Sequence, residues 1–211
     1  MLLVLAAGCD AETVSFPLQL TKTVAYKPDV AMLRTLGEEK LVASTRQSEW
    51  PEGTEFVYTE DDPFVVTIRE TVNIAEAELG VEQFEEYQSN IREIKIDELS
   101  VRIVENTLKT SHGPIHVVVA NLDTVGQEMW RAGMIGDGTP DGELQPSGDF
   151  VLLEVNDSIA GRMNRLLLFE DFQVGVQGPW IGTMTKDYPV DWGSGVTCDI
   201  SFAGRIIANK L

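Results

Sequence analysis

Three oxygen-bearing side chains stand at alternate positions in Gly136–Leu144, GDGTPDGEL: Asp137, Thr139 and Asp141. Oxygens spaced this way on a tight loop can converge on a hard cation, and the glycines let the chain turn sharply enough to aim them. Calcium is the ion such a set would take. The back half of the loop is poorer, because Gly148 stands where a closing carboxylate is wanted and Pro140 stiffens the chain. Asp-Gly pairs beside a proline are also what an ordinary turn uses, so a turn is the competing reading. The two histidines, His112 and His116, would share a face of a strand, but Gly113-Pro114 lies between them and no third ligand is near in sequence. A hairpin turn competes there with a zinc site.

Trp180, Tyr188 and Trp192 fall in a stretch rich in Gly and Pro that also carries Asp187 and Asp191. Ring faces beside carboxylates are what a sugar- or peptide-binding face needs; the alternative is that these rings plug the open end of a core. Cys198, in Val196–Phe202 (VTCDISF), alternates with Val196, Ile200 and Phe202. That pattern reads as a small buried hydrophobe. A nucleophilic thiol would want an electropositive, exposed setting, and its neighbour is Asp199. There is no G-x-S-x-G, H-E-x-x-H, P-loop or dinucleotide fingerprint. With 34 acidic residues some carboxylate pair is inevitable, so such pairs carry no information.

The same acidity excludes partners. Sixteen basic residues against 34 acidic ones leave a net charge of −18. A nucleic-acid binder needs a cationic face to meet phosphates, and no basic cluster is present. Between Glu49 and Glu105 there are 16 acidic and four basic residues, a local net of 4 − 16 = −12. A solvated, self-repelling surface is the expectation.

Near the start, Leu5–Asp10 reads LAAGCD, and the run Met1–Gly8 before the cysteine is apolar throughout. It is far too short to span a bilayer, which takes roughly 20 apolar residues. Small residues after an apolar run are the mark of a secretory cleavage site. The stretch resembles the lipobox of bacterial lipoproteins, although Ala6 stands where that motif prefers Leu and no basic residue precedes the run. The resemblance implies cleavage after Gly8, acylation of Cys9, and a membrane partner reached through that lipid. The body would then face the periplasm or the exterior. In the enterobacterial sorting rule, an aspartate such as Asp10 after the cysteine implies retention at the inner membrane.

The elements that would position all these groups are mostly strands. Phe16, Leu18 and Leu20 alternate, Phe64–Ile74 is rich in β-branched residues, and Gly193 onward reads as one long strand. Ile94 and Ile96 alternate on one parity and Leu99, Val101 and Ile103 on the other, so a β-bulge is expected near Asp97-Glu98. Val81, Phe84, Tyr87 and Ile91 have helical spacing and predict a short amphipathic helix near 81–91. Asp149–Val155 and Asn164–Val176 read as further strands. The run Phe84–Ile103 resembles segments of bacterial envelope lipoproteins with β-sandwich folds, a likeness that implies no particular activity.

The expectation is an all-β, mostly antiparallel β-sandwich, jelly-roll or immunoglobulin-like, with one short helix. Residues 1–8 would be the remnant of a signal peptide, 9–25 a lipid-anchored tether with a first strand, and 26–211 a single sandwich domain. The expected function is binding or structural support in the bacterial cell envelope. The alternative is an extracytoplasmic hydrolase, or a calcium- or carbohydrate-binding module.

Overall fold

The computed structural model describes residues 12–27, 55–61, 64–73, 87–109, 112–121, 129–136, 146–155, 157–166, 171–185 and 193–210. Ten strands lie among them: β1 (Thr13–Tyr26), β2 (Glu55–Tyr58), β3 (Phe64–Asn73), β4 (Ile91–Leu108), β5 (Ile115–Asn121), β6 (Met129–Gly136), β7 (Val151–Leu152), β8 (Asp171–Trp180), β9 (Gly182–Thr185) and β10 (Gly193–Asn209). One α-helix, α1, covers Asp157–Leu166.

The strands pair antiparallel in a nested series. β1 pairs with β10, β2 with β9, β3 with β8, β4 with β7 and β5 with β6. Cross-pairing of β10 with β4 and of β8 with β5 wraps this long hairpin into two four-stranded sheets, ordered β1-β10-β4-β7 and β3-β8-β5-β6. That order is the jelly roll, in which every non-local pair is antiparallel and the two sheets stack on a shared core. Of the two sandwich topologies expected, the strand order selects this one.

Period-two patterning explains the stacking. Val196, Cys198, Ile200 and Phe202 of β10 are fully buried, as are Val174 and Val176 of β8, and all belong to one core with Leu20 and Val24 of β1 and Val117 and Val119 of β5. On the outer face of the first sheet the alternate residues are polar and pair with one another. Thr23 donates to Asp199 (2.6 Å), Arg102 holds the other carboxylate oxygen through Nε and Nη2 (3.2 and 2.5 Å), and Thr21 donates to Ser201 (3.2 Å). Burial pushes the Asp199 carboxyl up, but the hydrogen bonds from Thr23 and Arg102 and the Arg102 charge outweigh it, so its pKa ends below the usual value.

The expected bulge is present. Ala203 pairs with Glu98 and Gly204 with Ile96, leaving Asp97 as the extra residue of β4. This residue switches the buried parity from Ile94 and Ile96 to Leu99, Val101 and Ile103. Gly204 is required opposite it: a Cβ there would lie 2.0 Å from the Lys95 carbonyl oxygen.

Two local expectations are corrected. Of the helix expected over 81–91, residues 81–86 lie outside the described residues; Tyr87 is helical, Gln88–Asn90 form a 3-10 turn and Ile91 is already strand. An unexpected helix covers Asp157–Leu166, so Asn164–Leu166 are helical rather than the start of a strand. Asp149–Val155 contributes only the two-residue β7. Within 9–25 the possible first strand is present, since Thr13 onward pairs with β10 along the whole of β1; residues 9–11 lie outside the described residues.

Candidate functional site

β4 and β5 fall in different sheets, so the segment between them crosses the sandwich and is not a hairpin turn. This crossing fixes where the histidines lie. His112 bridges Trp180, and Gly113 N donates to the Pro179 carbonyl (2.7 Å). His116 pairs with Gln177. Trp180 and Gln177 are three residues apart on one strand and so point to opposite faces. The two imidazoles therefore share no site. His112 is buried against the Tyr26 hydroxyl (Nδ1 to Oη 3.0 Å), which also reaches the Gly178 carbonyl (3.2 Å). Burial lowers the His112 pKa to about 4 and pushes the Tyr26 phenol well above its ordinary range. His116 is half-buried, and burial and the Arg131 charge lower its pKa against an opposing hydrogen bond with Gly133.

Trp180 lies in the core, 4% exposed, with its ring 5.7 Å from that of Tyr58. Its faces are occupied by protein, and of the two readings the structure places it as a plug. Tyr188 and Trp192 lie outside the described residues, as do Cys9 and Asp137, Thr139 and Asp141 of the calcium candidate. Among the described residues no group of three His, Cys, Asp or Glu side chains is placed to hold a metal. Cys198 is fully buried, and burial together with the Asp199 charge pushes its thiol up to about 12, as befits a packing residue.

The described surface offers a different site, at the edge of the sandwich where β6 and β7 face each other. A groove of about 560 Å³ is lined by Val101 and Ile103 of β4, Met134 and Ile135 of β6, and the arm that carries Ser147 and Val151–Glu154. The arm is pinned to the edge of β4 at both ends. Ser147 N donates to the Ile103 carbonyl (2.9 Å) and Leu153 N to the Leu99 carbonyl (2.8 Å). Between them Phe150 lies beneath the Arg102 guanidinium, 4.8 Å from ring centre to Cζ. Leu153 then turns inward and packs on Gly133 of β6, closing the sandwich just beside the groove.

Helix α1 straps the neighbouring stretch of this edge. Its Asn164 Oδ1 accepts from the Ile96 backbone N–H (2.7 Å), a donor that β7 is too short to reach. Its Arg162 lies over the Trp130 ring of β6 at 5.3 Å. Met163, between them in sequence, enters the common core.

The groove rim leaves Met134, Val151 and Leu152 more than half exposed, and Glu154 supplies an exposed carboxylate. These three side chains form a cluster of apolar exposure on the folded surface. The groove's only described hydroxyl, that of Ser147, donates to the Asp149 carbonyl and accepts from Asp149 N (2.9 and 3.0 Å). That hydroxyl is spent on the turn. The sequence signal for the groove was the unbroken apolar run Phe150–Leu153, which a half-buried strand would not carry.

No protein-family profile matches the chain, and no curated protein matches it in sequence. A solved structure titled Desmodium yellow mottle tymovirus is similar over all of this chain and 94% of its own, at 15% identity and a TM-score of 0.29. A likeness that faint identifies neither fold nor function.

Proposed function

We propose that the chain is a lipid-anchored, extracytoplasmic binding protein of a bacterial cell envelope, held by acyl chains on Cys9 and offering the β6–β7 edge groove to an apolar ligand. The observation that carries the binding half is the groove itself: an apolar floor of Val101, Ile103 and Ile135 under a rim of exposed Met134, Val151 and Leu152. The anchoring half rests on the resemblance of LAAGCD to a lipobox. Two or more acyl chains are needed for stable anchoring, because each buried CH₂ contributes only about 0.8 kcal/mol.

Metabolic labelling with palmitate tests the anchor. The natural chain is expected to carry label and Cys9→Ser to carry none; equal labelling of both, or of neither, defeats it. The dye 1-anilinonaphthalene-8-sulfonate tests the groove. Its fluorescence with the native protein is expected to fall severalfold in a Met134→Lys, Leu152→Lys double variant, which alters only exposed side chains. Unchanged fluorescence would remove the groove as an apolar binding site.

A further inference from the structure

The anchor has almost no leash. Thr13 already pairs with Asn209, and Lys210 N donates to the Glu12 carbonyl (2.8 Å), so the folded body begins at Glu12. Cys9 is three residues earlier. Three residues of chain reach at most about 11 Å. An acylated Cys9 therefore holds one particular end of the sandwich within about a nanometre of the lipid headgroups.

That end is built from the start of β1, the start of β4 and the end of β10, which run side by side. Among the described residues its charge is unlike that of the chain as a whole. Residues 12–19, 91–98 and 202–210 carry Arg92, Lys95, Arg205 and Lys210 against Glu12, Glu93, Asp97 and Glu98, all exposed, a net of 4 − 4 = 0. The chain as a whole stands at −18. An anionic leaflet repels acidic surface and attracts Lys and Arg, so the described part of this end is repelled less than the average surface of the chain.

The geometry points to a membrane-resting face: the Thr13–Lys210 end of the first sheet sits on the bilayer surface and the strands lead away from it. This orientation rests on Cys9 being the point of attachment. It places Lys27 and Lys109, which follow Tyr26 and Leu108 at the far ends of β1 and β4, about 43 Å from Thr13 at roughly 3.3 Å per strand residue. Val101 of the groove is in register with Ile200, and Ile200 with Lys22, nine residues beyond Thr13. The groove is thus held roughly 30 Å above the headgroups, turned to the aqueous space and not to lipid.

The experiment supplies the anchor chemically, which separates it from natural acylation. The Cys9 thiol of the full chain is coupled to a maleimide-headgroup lipid in phosphatidylcholine vesicles, with and without phosphatidylglycerol. Cys198, fully buried, does not compete. Lysines are then acetylated and quantified by mass spectrometry. Lys210 is expected to react severalfold more slowly than in the uncoupled chain, while Lys27 and Lys109, both exposed, keep their rates. A Gly-Ser insert of about 20 residues between Asp10 and Ala11, with an r.m.s. reach of roughly 25 Å, is expected to restore the Lys210 rate. Uniform protection of all three lysines, no protection of Lys210, or protection that survives the insert overturns the orientation. Absence of palmitate on the natural chain, with Lys210 still protected in the coupled one, overturns the anchoring reading and leaves the geometry intact.

Discussion

The Tyr26 hydroxyl meets Nδ1 of His112 at 3.0 Å in the interior, and through it the end of β1 is tied to the segment that crosses between the sheets. The same hydroxyl lies 3.2 Å from the Gly178 carbonyl of β8. One phenol thus joins three parts of the chain drawn from both sheets, and the neutral imidazole is the form this site accepts.

Acid should therefore loosen the fold through His112. Its folded pKa of about 4 lies below the value near 6.5 of an unfolded histidine. Between those values the unfolded chain binds the extra proton, so stability falls as pH falls. The contribution is fully present above pH 6.5, is lost progressively toward pH 4, and amounts to about 3 kcal/mol. Urea titrations of the natural chain and of His112→Gln at pH 7, 5.5 and 4 check this. The stability difference between the two should shrink over that range by an amount of this order. Asp199, with its lowered pKa, acts in the same direction but only below its unfolded value near 4.

Gly133 and Leu153 make the seam beside the groove. A Cβ at Gly133 would lie 2.9 Å from Leu153 Cβ, closer than two carbons can pack. Gly133→Val is expected to push the 147–153 arm off β6 and to cost about 1–3 kcal/mol, the usual penalty of overpacking. Hydrogen exchange reads the displacement directly. The Leu153 amide, bonded to the Leu99 carbonyl, should exchange faster, while Ile200 at the centre of β10 should change only with global stability.

Asn164 satisfies a donor that the sheet leaves behind. Ile96 is buried and its N–H is bonded to the Asn164 side chain alongside the bulge. Asn164→Ala should cost about 1–3 kcal/mol, the desolvation cost of an unmet buried amide. Asn164→Asp keeps an acceptor at the same place and should recover most of the loss in the same denaturant assay. Equal loss in both variants would mean that the hydrogen bond contributes nothing.

Cys198 should be chemically silent in the folded state. Its side chain is fully buried and its thiol is pushed up to about 12, so almost no thiolate exists at neutral pH and no reagent reaches it. In Cys9→Ser, titration with a disulfide reagent should find no reactive thiol until denaturant is added, then one per chain. Rapid reaction in native buffer would contradict the packing of β10.

Much of the sheet content was legible in the residues because a strand with one wet face must alternate. Val196, Cys198, Ile200 and Phe202 announced the buried face of β10, and the change of parity between Ile96 and Leu99 announced the bulge at Asp97. These are local consequences of the period of a strand, and they need no knowledge of what the strand packs against. The helix at Asp157–Leu166 was missed because its end runs into the apolar stretch that follows and reads with it as a strand; among its described side chains Met163 is buried, Asn164 makes a hydrogen bond and Arg162 a ring contact.

Pairing was beyond local reading. Alternation in β4 says which side is buried but not that β10 lies on one flank and β7 on the other, because any strand can satisfy the backbone of any other. Only the nested order of the whole chain decides that His112 and His116 face opposite ways, that Trp180 is enclosed rather than presented, and that β6 and β7 converge around a groove. Charge, the apolar approach to Cys9 and the strand periods were written in the sequence. The groove came from contacts such as Ser147 with Ile103 and Leu153 with Leu99, and the short span between Cys9 and the first paired residue from the pairing of Thr13 with Asn209 at the other end of the chain.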